Sequence, residues 1–167
     1  MEWRKKSHYP HRGRTMNDDS IRILKLAGQG FCCSQILIQL ALEDMGLENA
    51  QLIRAMGGLC EGMGQGEICG VITGAACVLS LYAGKGTAEE EMLAALPAML
   101  TDFMAWFRGR SSSWGGIRCE DITLASGGRN RETCGNIMLE ARTTLLGILD
   151  AHGIDPSRDR DDAHSAW

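Results

Sequence analysis

The sequence predicts an all-α fold: a single compact domain of five to six helices, with a glycine-rich loop before the central helix. Three observations support this fold class. Apolar residues recur at the three-and-four spacing of a helix face, alternating patterns typical of strands are rare, and glycine or proline separates the segments. The length of 167 residues suits one domain with an ordinary core.

Three helices are predicted in the first third of the chain. The first follows the N-cap candidates Asp18, Asp19 and Ser20. The second covers about residues 31–44 and the third about residues 48–56. Glycine follows each of them, and glycine readily adopts the left-handed backbone that ends a helix.

Residues 57–66 separate these helices from the central one. Glycine is too frequent in this stretch for a regular element, and it occupies Gly57, Gly58, Gly62, Gly64 and Gly66. We expect a loop whose backbone turns sharply or closely approaches another group. The central helix then covers about residues 67–82.

A long helix is predicted after the central one. Residues 87–90 (Thr-Ala-Glu-Glu) form a capping box that opens it, and it continues to about Phe107. Pro97 is expected to kink this helix or to split it in two, because proline lacks the backbone N–H and clashes with the preceding turn.

The last helix is predicted to begin within residues 130–133 and to run to about His152. The preceding residues 108–129 are expected to be irregular. The apolar residues of the last helix share one face at three-and-four spacing: Met138, Ala141, Leu145, Ile148 and Leu149.

The two ends of the chain differ in charge from the predicted domain, residues 17–153. The formal net charge is -4, yet residues 1–16 are basic. We interpret residues 1–16 as a disordered arm and residues 154–167 as a polar tail, and we expect no nucleic-acid partner.

No membrane partner and a cytoplasmic location are expected. The first 20 residues contain no apolar stretch of a secretory signal. The longest uncharged runs, residues 26–42 and 68–84, fall short of the usual spanning length of about 20 residues. In the cytoplasm thiols are kept reduced, which disfavours a structural disulfide framework.

Cysteine is the first functional signal in the sequence. The chain has seven, an odd and high number that favours metal binding or redox chemistry: Cys32, Cys33, Cys60, Cys69, Cys77, Cys119 and Cys134. No C-x-x-C occurs, which excludes a zinc knuckle, a thioredoxin-type pair and a bacterial ferredoxin run. Nor is there a P-loop or a G-x-G-x-x-G motif to support nucleotide binding.

Four of the cysteines lie at or near predicted helix starts. Cys33, Cys69 and Cys134 lie in first turns, and Cys119 lies shortly before the last helix. Unpaired N–H groups and the helix dipole favour the thiolate there, so these four thiols would share one site if the helix starts converge. Cys77 is interpreted as a core residue.

Two other cysteines are left open by the sequence. Cys60, in the glycine-rich loop, fits packing and function equally well. Cys32 and Cys33 cannot point the same way, so one of them is interpreted as a packing residue or bystander. Gly70 and Gly74 form a small-residue face beside Cys69, which predicts either tight helix packing or room for a cofactor or a partner subunit.

The order of these cysteines resembles the C_GCAxxG_C_C family of redox-active proteins. The resemblance covers about residues 17–150 and rests on Gly30-Phe31-Cys32-Cys33-Ser34-Gln35, on Cys69-Gly70-Val71-Ile72-Thr73-Gly74, which is similar to CGAxxG, on Trp114-Gly115-Gly116-Ile117-Arg118-Cys119 and on Thr133-Cys134. It implies a small helical cytoplasmic protein with four characteristic cysteines, here Cys33, Cys69, Cys119 and Cys134. The Ser-Gln pair favours Cys33 over Cys32, which stands where asparagine is expected.

Three functions follow as hypotheses. The first is an electron-transfer protein whose four cysteines bind an iron–sulfur cluster, most simply [2Fe–2S], with an unknown redox partner protein. The second is a metal-free thiol–disulfide protein that cycles Cys119 with Cys134 or Cys33 with Cys69. The third is a binding module with a structural zinc site of four cysteines. The face formed by Gly70 and Gly74 also fits a homodimer.

Overall fold

The computed structural model describes residues 16–160. Within this range the chain forms seven α-helices and no β-strand, so the all-α class is confirmed and the predicted number of helices is too low. The predicted arm up to residue 15 and the tail from residue 161 lie outside the described residues. In chain order the helices are α1 (Met16–Gly28), α2 (Cys33–Asp44), α3 (Ala50–Met56), α4 (Gly70–Ala83), α5 (Leu96–Ser111), α6 (Cys119–Ala125) and α7 (Arg131–Ala151).

The first four helices lie close to their predicted ranges. Helix α1 begins before its predicted N-cap candidates, so Asp18 and Asp19 lie in its first turn, where negative charge complements the helix dipole. Helix α3 begins after Asn49, whose side chain accepts a hydrogen bond from the N–H of Leu52 at 2.9 Å. Helix α4 begins at Gly70, later than predicted, because the residues before it are extended.

The predicted start of the fifth helix is wrong. Residues 87–90 do not open a helix, although the Glu90 carboxylate accepts a hydrogen bond from the N–H of Thr87 at 3.3 Å. Helix α5 begins at Leu96 and carries Pro97 in its first turn. Proline is well tolerated there, since the first N–H groups of a helix have no intrahelical partner, so Pro97 starts the helix and neither kinks nor splits it.

Helix α6 lies in the segment that was predicted to be irregular. Helix α5 continues to Ser111, a 3₁₀ turn follows over Ser112–Trp114, and α6 covers seven residues. The Asp121 carboxylate accepts a hydrogen bond from the N–H of Arg118 at 3.1 Å and so caps its start. Two turns are too few to show an apolar period in sequence.

The core surrounds α2, in which nine of twelve residues are buried. Helices α2 and α4 are in close contact. A Cβ atom added at Gly74 would come 2.8 Å from the Cα atom of Ser34, so only glycine lets the two backbones approach this closely. Large buried side chains from three other helices complete the core: Ile23, Met99, Phe103, Phe107, Leu145 and Leu149. None of the helices within residues 16–160 combines the length and apolar character that crossing a membrane requires.

A buried ion-pair network connects α1, α2 and α7. Arg142 is only 2% exposed and donates from Nε to Asp19 Oδ2 at 3.3 Å and from Nη2 to Asp44 Oδ2. Arg22 bonds the other oxygen of Asp19 at 2.6 Å. The two carboxylates and two guanidinium groups compensate one another, which burial of charge requires.

Candidate four-cysteine site

Cys69 and Cys119 are brought together by a short antiparallel bridge. Ile68 pairs with Arg118; the N–H of Cys69 donates to the carbonyl of Ile117 at 3.1 Å, and that of Cys119 donates to the carbonyl of Glu67 at 2.7 Å. Side chains alternate along extended backbone, so both cysteines lie on the side of the bridge opposite to Ile68. Cys69 is then the N-cap residue of α4, and Cys119 is the first residue of α6.

Cys33 lies against the start of α4. It is the first residue of α2, and a Cβ atom added at Gly70 would come 2.5 Å from its sulfur and 3.0 Å from the carbonyl oxygen of Leu59. Only glycine therefore fits at the first position of α4. This close approach brings the sulfur of Cys33 next to the residue that follows Cys69.

Cys134 comes from the first turn of α7. That helix begins after Asn130, whose side-chain oxygen accepts hydrogen bonds from the N–H groups of Glu132 at 2.8 Å and Thr133 at 3.3 Å. Arg129, just before the cap, forms an ion pair with Glu61 at 2.5 Å. Both charged groups act on Cys134 and Cys119, where Arg129 lowers the pKa and Glu61 raises it.

The four predicted site cysteines lie within electrostatic reach of one another. Negative charge on Cys119 or Cys134 raises the pKa of Cys33, and charge on any of the other three raises the pKa of Cys69. Charge on Cys119 likewise raises the pKa of Cys134. The helix starts therefore converge, although within residues 16–160 no three Cys, His, Asp or Glu side chains are already arranged around one metal ion.

Burial dominates the acidity of these thiols. It raises the pKa of Cys33 to about 11 and that of Cys69 to about 12, and it also raises the pKa of Cys119 and Cys134. The expectation that helix starts favour the thiolate is thus wrong for the metal-free protein. Hydrogen bonds from the backbone N–H of Glu61 to Cys33 and from that of Val71 to Cys69 oppose the rise without cancelling it.

The sequence left Gly70 and Gly74 open between tight helix packing and room for a cofactor or a partner subunit, and in the structure protein atoms lie against both glycines. The sulfur of Cys33 fills the space at Gly70. At Gly74 the neighbour is the backbone of Ser34, as expected for tight packing of two helices. The two glycines thus determine how closely α4 packs against α2 and against the thiol of Cys33, the first residue of α2.

The glycine-rich segment is a compact, strained turn. It comprises a 3₁₀ turn over Gly57–Leu59 and a wider turn over Gly62–Gly66. Glu61 and Met63 adopt φ of 57°, in the left-handed region that residues other than glycine rarely occupy. The ion pair of Glu61 with Arg129 and its N–H bond to Cys33 help hold this conformation, which places the turn over the site.

Cys32 and Cys60 form a disulfide that sequence reasoning missed. Their Cα atoms are 5.9 Å apart, and the bond closes a loop between residues separated by 28 positions. Cys32 is therefore not a bystander. Cys60, for which the sequence favoured neither packing nor function, is its disulfide partner. The other five cysteines carry free thiols, so neither proposed cycling pair, Cys119 with Cys134 or Cys33 with Cys69, is oxidised.

A surface cleft of about 310 Å³ opens beside Cys119. Glu61, Gly66, Thr123 and Arg129 contribute to its walls. The site therefore reaches the surface at Cys119, whereas Cys69 is buried. A larger cleft of about 540 Å³ at the end of α4 contains no cysteine and lies outside the site.

Comparison with known proteins agrees with the cysteine pattern. The model of the family described as "Putative redox-active protein (C_GCAxxG_C_C)" matches residues 31–148, the range that holds all seven cysteines. No curated protein and no solved structure gives a significant match to the chain.

Proposed function

Because the chain belongs to the C_GCAxxG_C_C family of redox-active proteins, we propose that it transfers electrons through an iron–sulfur cluster held by Cys33, Cys69, Cys119 and Cys134. One observation carries the proposal: separate segments of the chain bring these thiols together. The Ile68–Arg118 bridge joins the segments of Cys69 and Cys119, the sulfur of Cys33 lies against Gly70, and Cys134 lies near enough for its charge to act on Cys33 and Cys69. Four cysteine sulfurs are the usual ligand set of such clusters.

The surroundings of the sulfurs fit this ligand set. Cys33 and Cys69 each accept a backbone N–H, from Glu61 and Val71 respectively. Hydrogen bonds to the sulfurs and burial are the means by which a protein sets the reduction potential of a cluster. When bound, the cluster supplies one-electron transfer.

The protein itself controls the protons of the site. Cys33 and Cys69 are protonated at neutral pH, and burial extends their protonation well above pH 9, because it raises the pKa of Cys33 to about 11 and that of Cys69 to about 12. Ligation requires thiolates, so loading the site releases these protons. We therefore expect incorporation of iron to become more favourable as the pH rises.

Electrons would enter and leave near Cys119. This cysteine borders the surface cleft, and the exposed apolar side chain of Leu124, 72% accessible, lies on the same cleft. Exposed apolar groups with a polar rim are common in protein contact surfaces. The redox partner protein would therefore dock at this face.

A structural zinc site is the alternative that uses the same four cysteines. It needs four sulfurs arranged tetrahedrally around one ion at about 2.3 Å. Zinc analysis of the purified protein decides between zinc and a cluster. The thiol–disulfide alternative, cycling of Cys119 with Cys134 or of Cys33 with Cys69, starts from four free thiols and is decided by counting thiols after oxidation of the metal-free protein.

The test is anaerobic purification followed by iron, sulfide and zinc analysis. We expect brown protein with about two irons and two sulfides per chain, as [2Fe–2S] requires. The Cys69→Ala variant should lose both, while Cys77→Ala, which changes another free cysteine that contacts the core, should keep them. Colourless protein that contains zinc, or equal loss of iron in the two variants, would contradict the proposal.

A further inference from the structure

The Cys32–Cys60 disulfide lies outside the proposed four-cysteine site. It joins the N-cap residue of α2 to the residue between the two turns of the glycine-rich segment. Both cysteines are half-buried. The proposed cluster does not use it.

A hydroxyl group lies beside both sulfurs. Ser34 Oγ is 3.5 Å from Cys32 Sγ and 3.3 Å from Cys60 Sγ, and it is fully buried. Its proton is donated to the carbonyl of Met56 at 2.8 Å. A hydroxyl proton can rotate, so the same group can donate to a sulfur that becomes negatively charged.

The two sulfurs are not equivalent. Cys32 caps α2, a helix of twelve residues, and its carbonyl accepts the first helical hydrogen bond from Ile36 at 2.8 Å. The unpaired N–H groups at the start of α2 lie next to Cys32. Cys60 follows a three-residue 3₁₀ turn and has no such helix behind it. Cys32 is therefore the better leaving group.

We propose that Cys32 and Cys60 form a second redox site, a dithiol–disulfide couple that exchanges with external dithiols. A thiolate of the external dithiol attacks Cys60 Sγ, and the bond between the two cysteine sulfurs breaks. The electron pair goes to Cys32 Sγ, which accepts a hydrogen bond from Ser34 and then a proton from water.

The second half of the exchange completes the reduction. The second thiol of the external dithiol then loses its proton. It attacks the first sulfur of the same molecule, which is bonded to Cys60 Sγ in the mixed disulfide. Cys60 leaves as a thiolate and takes a proton. The external dithiol is oxidised by two electrons to a disulfide, and Cys32 and Cys60 are reduced to two thiols. In reverse, the thiolate of Cys60 attacks the external disulfide, and Cys32 then attacks Cys60 Sγ in the mixed disulfide, which re-forms the Cys32–Cys60 bond and releases the external dithiol.

The neighbouring free thiol of Cys33 does not compete in this exchange. Its sulfur lies against Gly70, where an added Cβ atom would come within 2.5 Å of it, and it accepts the N–H of Glu61. A sulfur enclosed in this way is a poor nucleophile towards an external disulfide, so the couple operates beside Cys33 without consuming it.

The test is a titration of the full-length chain with mixtures of reduced and oxidised dithiothreitol. Free thiols are trapped with an alkylating agent, counted by mass spectrometry and mapped by peptide analysis, while iron is measured in parallel. We expect two thiols to appear together in one reversible step, both mapped to Cys32 and Cys60. Absence of that step, or its assignment to another pair, would overturn the proposal.

Variants separate this site from the proposed cluster. Cys60→Ser, or Cys32→Ser if the first does not fold, should remove the two-thiol step, whereas Cys77→Ser should keep it. Ser34→Ala retains the Cβ atom that faces Gly74 and should slow reduction about tenfold, a barrier change of about 1.4 kcal/mol. An unchanged rate in Ser34→Ala would refute the role of the hydroxyl. Protein that holds no iron but shows the two-thiol step would contradict the proposed cluster and still support the Cys32–Cys60 couple.

Discussion

The sulfur of Cys33 occupies the space beside Gly70, where an added Cβ atom would come within 2.5 Å of it. The same Cβ atom would come 3.0 Å from the carbonyl oxygen of Leu59, which is backbone and cannot rotate away. The absence of a side chain at the first residue of α4 therefore determines where the thiol of Cys33 lies.

Substitution of Gly70 by alanine should damage the four-cysteine site. Cys33 must move, so we expect at least a tenfold weaker retention of iron, measured by competition with a chelator, on loaded protein. The matched control is Gly147→Ala, because Gly147 lies in α7 with no atom within 4 Å of its added Cβ. That change should leave iron unaltered and stabilise the helix by about 1 kcal/mol. Equal iron loss in both variants would contradict the assignment of Cys33.

The sequence predicted the parts of the site that depend on local structure. Asn130 is a strong N-cap residue, so the position of Cys134 in the first turn of α7 follows from its neighbours. The glycine density of residues 57–66 likewise predicts an irregular turn, and the structure has one. These features are local because each depends on residues within one or two turns.

The remaining features depend on contacts between distant segments. No local signal pairs Cys32 with Cys60, since the two meet only when α2 and the glycine-rich turn pack together. The bridge between Ile68 and Arg118 is likewise formed by short segments without an alternating pattern. Burial of Cys69 reverses the effect of its helix start on acidity, and burial is a property of the whole fold.

Gly62 and Gly64 provide a matched test of the glycine-rich turn. Both have positive φ, 62° and 68°, so alanine is strained at either by about 1–2 kcal/mol. Only at Gly62 would the Cβ atom meet backbone, 2.3 Å from the nitrogen of Glu67. We expect Gly62→Ala to lower the free energy of unfolding by about 1–3 kcal/mol more than Gly64→Ala, measured by urea denaturation. Equal losses of stability in the two variants would mean that the backbone of the turn moves to make room for the Cβ atom at Gly62.

The stability of the metal-free protein should fall at high pH. Burial raises the pKa of Cys33 to about 11 and of Cys69 to about 12, from a reference value of 9.0. Below pH 9 the folded and unfolded chains both hold these protons. Above it the unfolded chain loses them first, so the free energy of unfolding decreases up to about pH 12. Denaturation at pH 8 and pH 10.5 measures the decrease. The double variant Cys33→Ser, Cys69→Ser should show a smaller decrease in the free energy of unfolding. An identical decrease would exclude the two buried thiols as its cause.

Arg142 should be required for stability and not for redox chemistry. Its replacement by methionine removes the buried guanidinium that pairs with Asp19 and Asp44, and Arg22 compensates the two carboxylates only from the other side. Breaking a buried pair costs about 3–5 kcal/mol, so we expect a loss of about 3 kcal/mol in urea denaturation. The thiol count after reduction should not change in the folded variant. A loss below about 1 kcal/mol would show that the network is not a major source of stability.

Arg129 should tune the thiols at the open side of the site. Burial is the main cause of the raised pKa of Cys119 and Cys134, and the positive charge of Arg129 opposes that rise. Arg129→Gln therefore should raise both pKa values further and slow alkylation of these two thiols at pH 8. Stability should change by less than about 1 kcal/mol, since the Arg129–Glu61 pair is exposed. Arg158→Gln removes an exposed pair with Asp155 and serves as the control.

In iron-loaded protein the loss of positive charge in Arg129→Gln should lower the reduction potential, because the reduced state carries the additional negative charge. Faster alkylation, or an equal effect of the control, would contradict this electrostatic role.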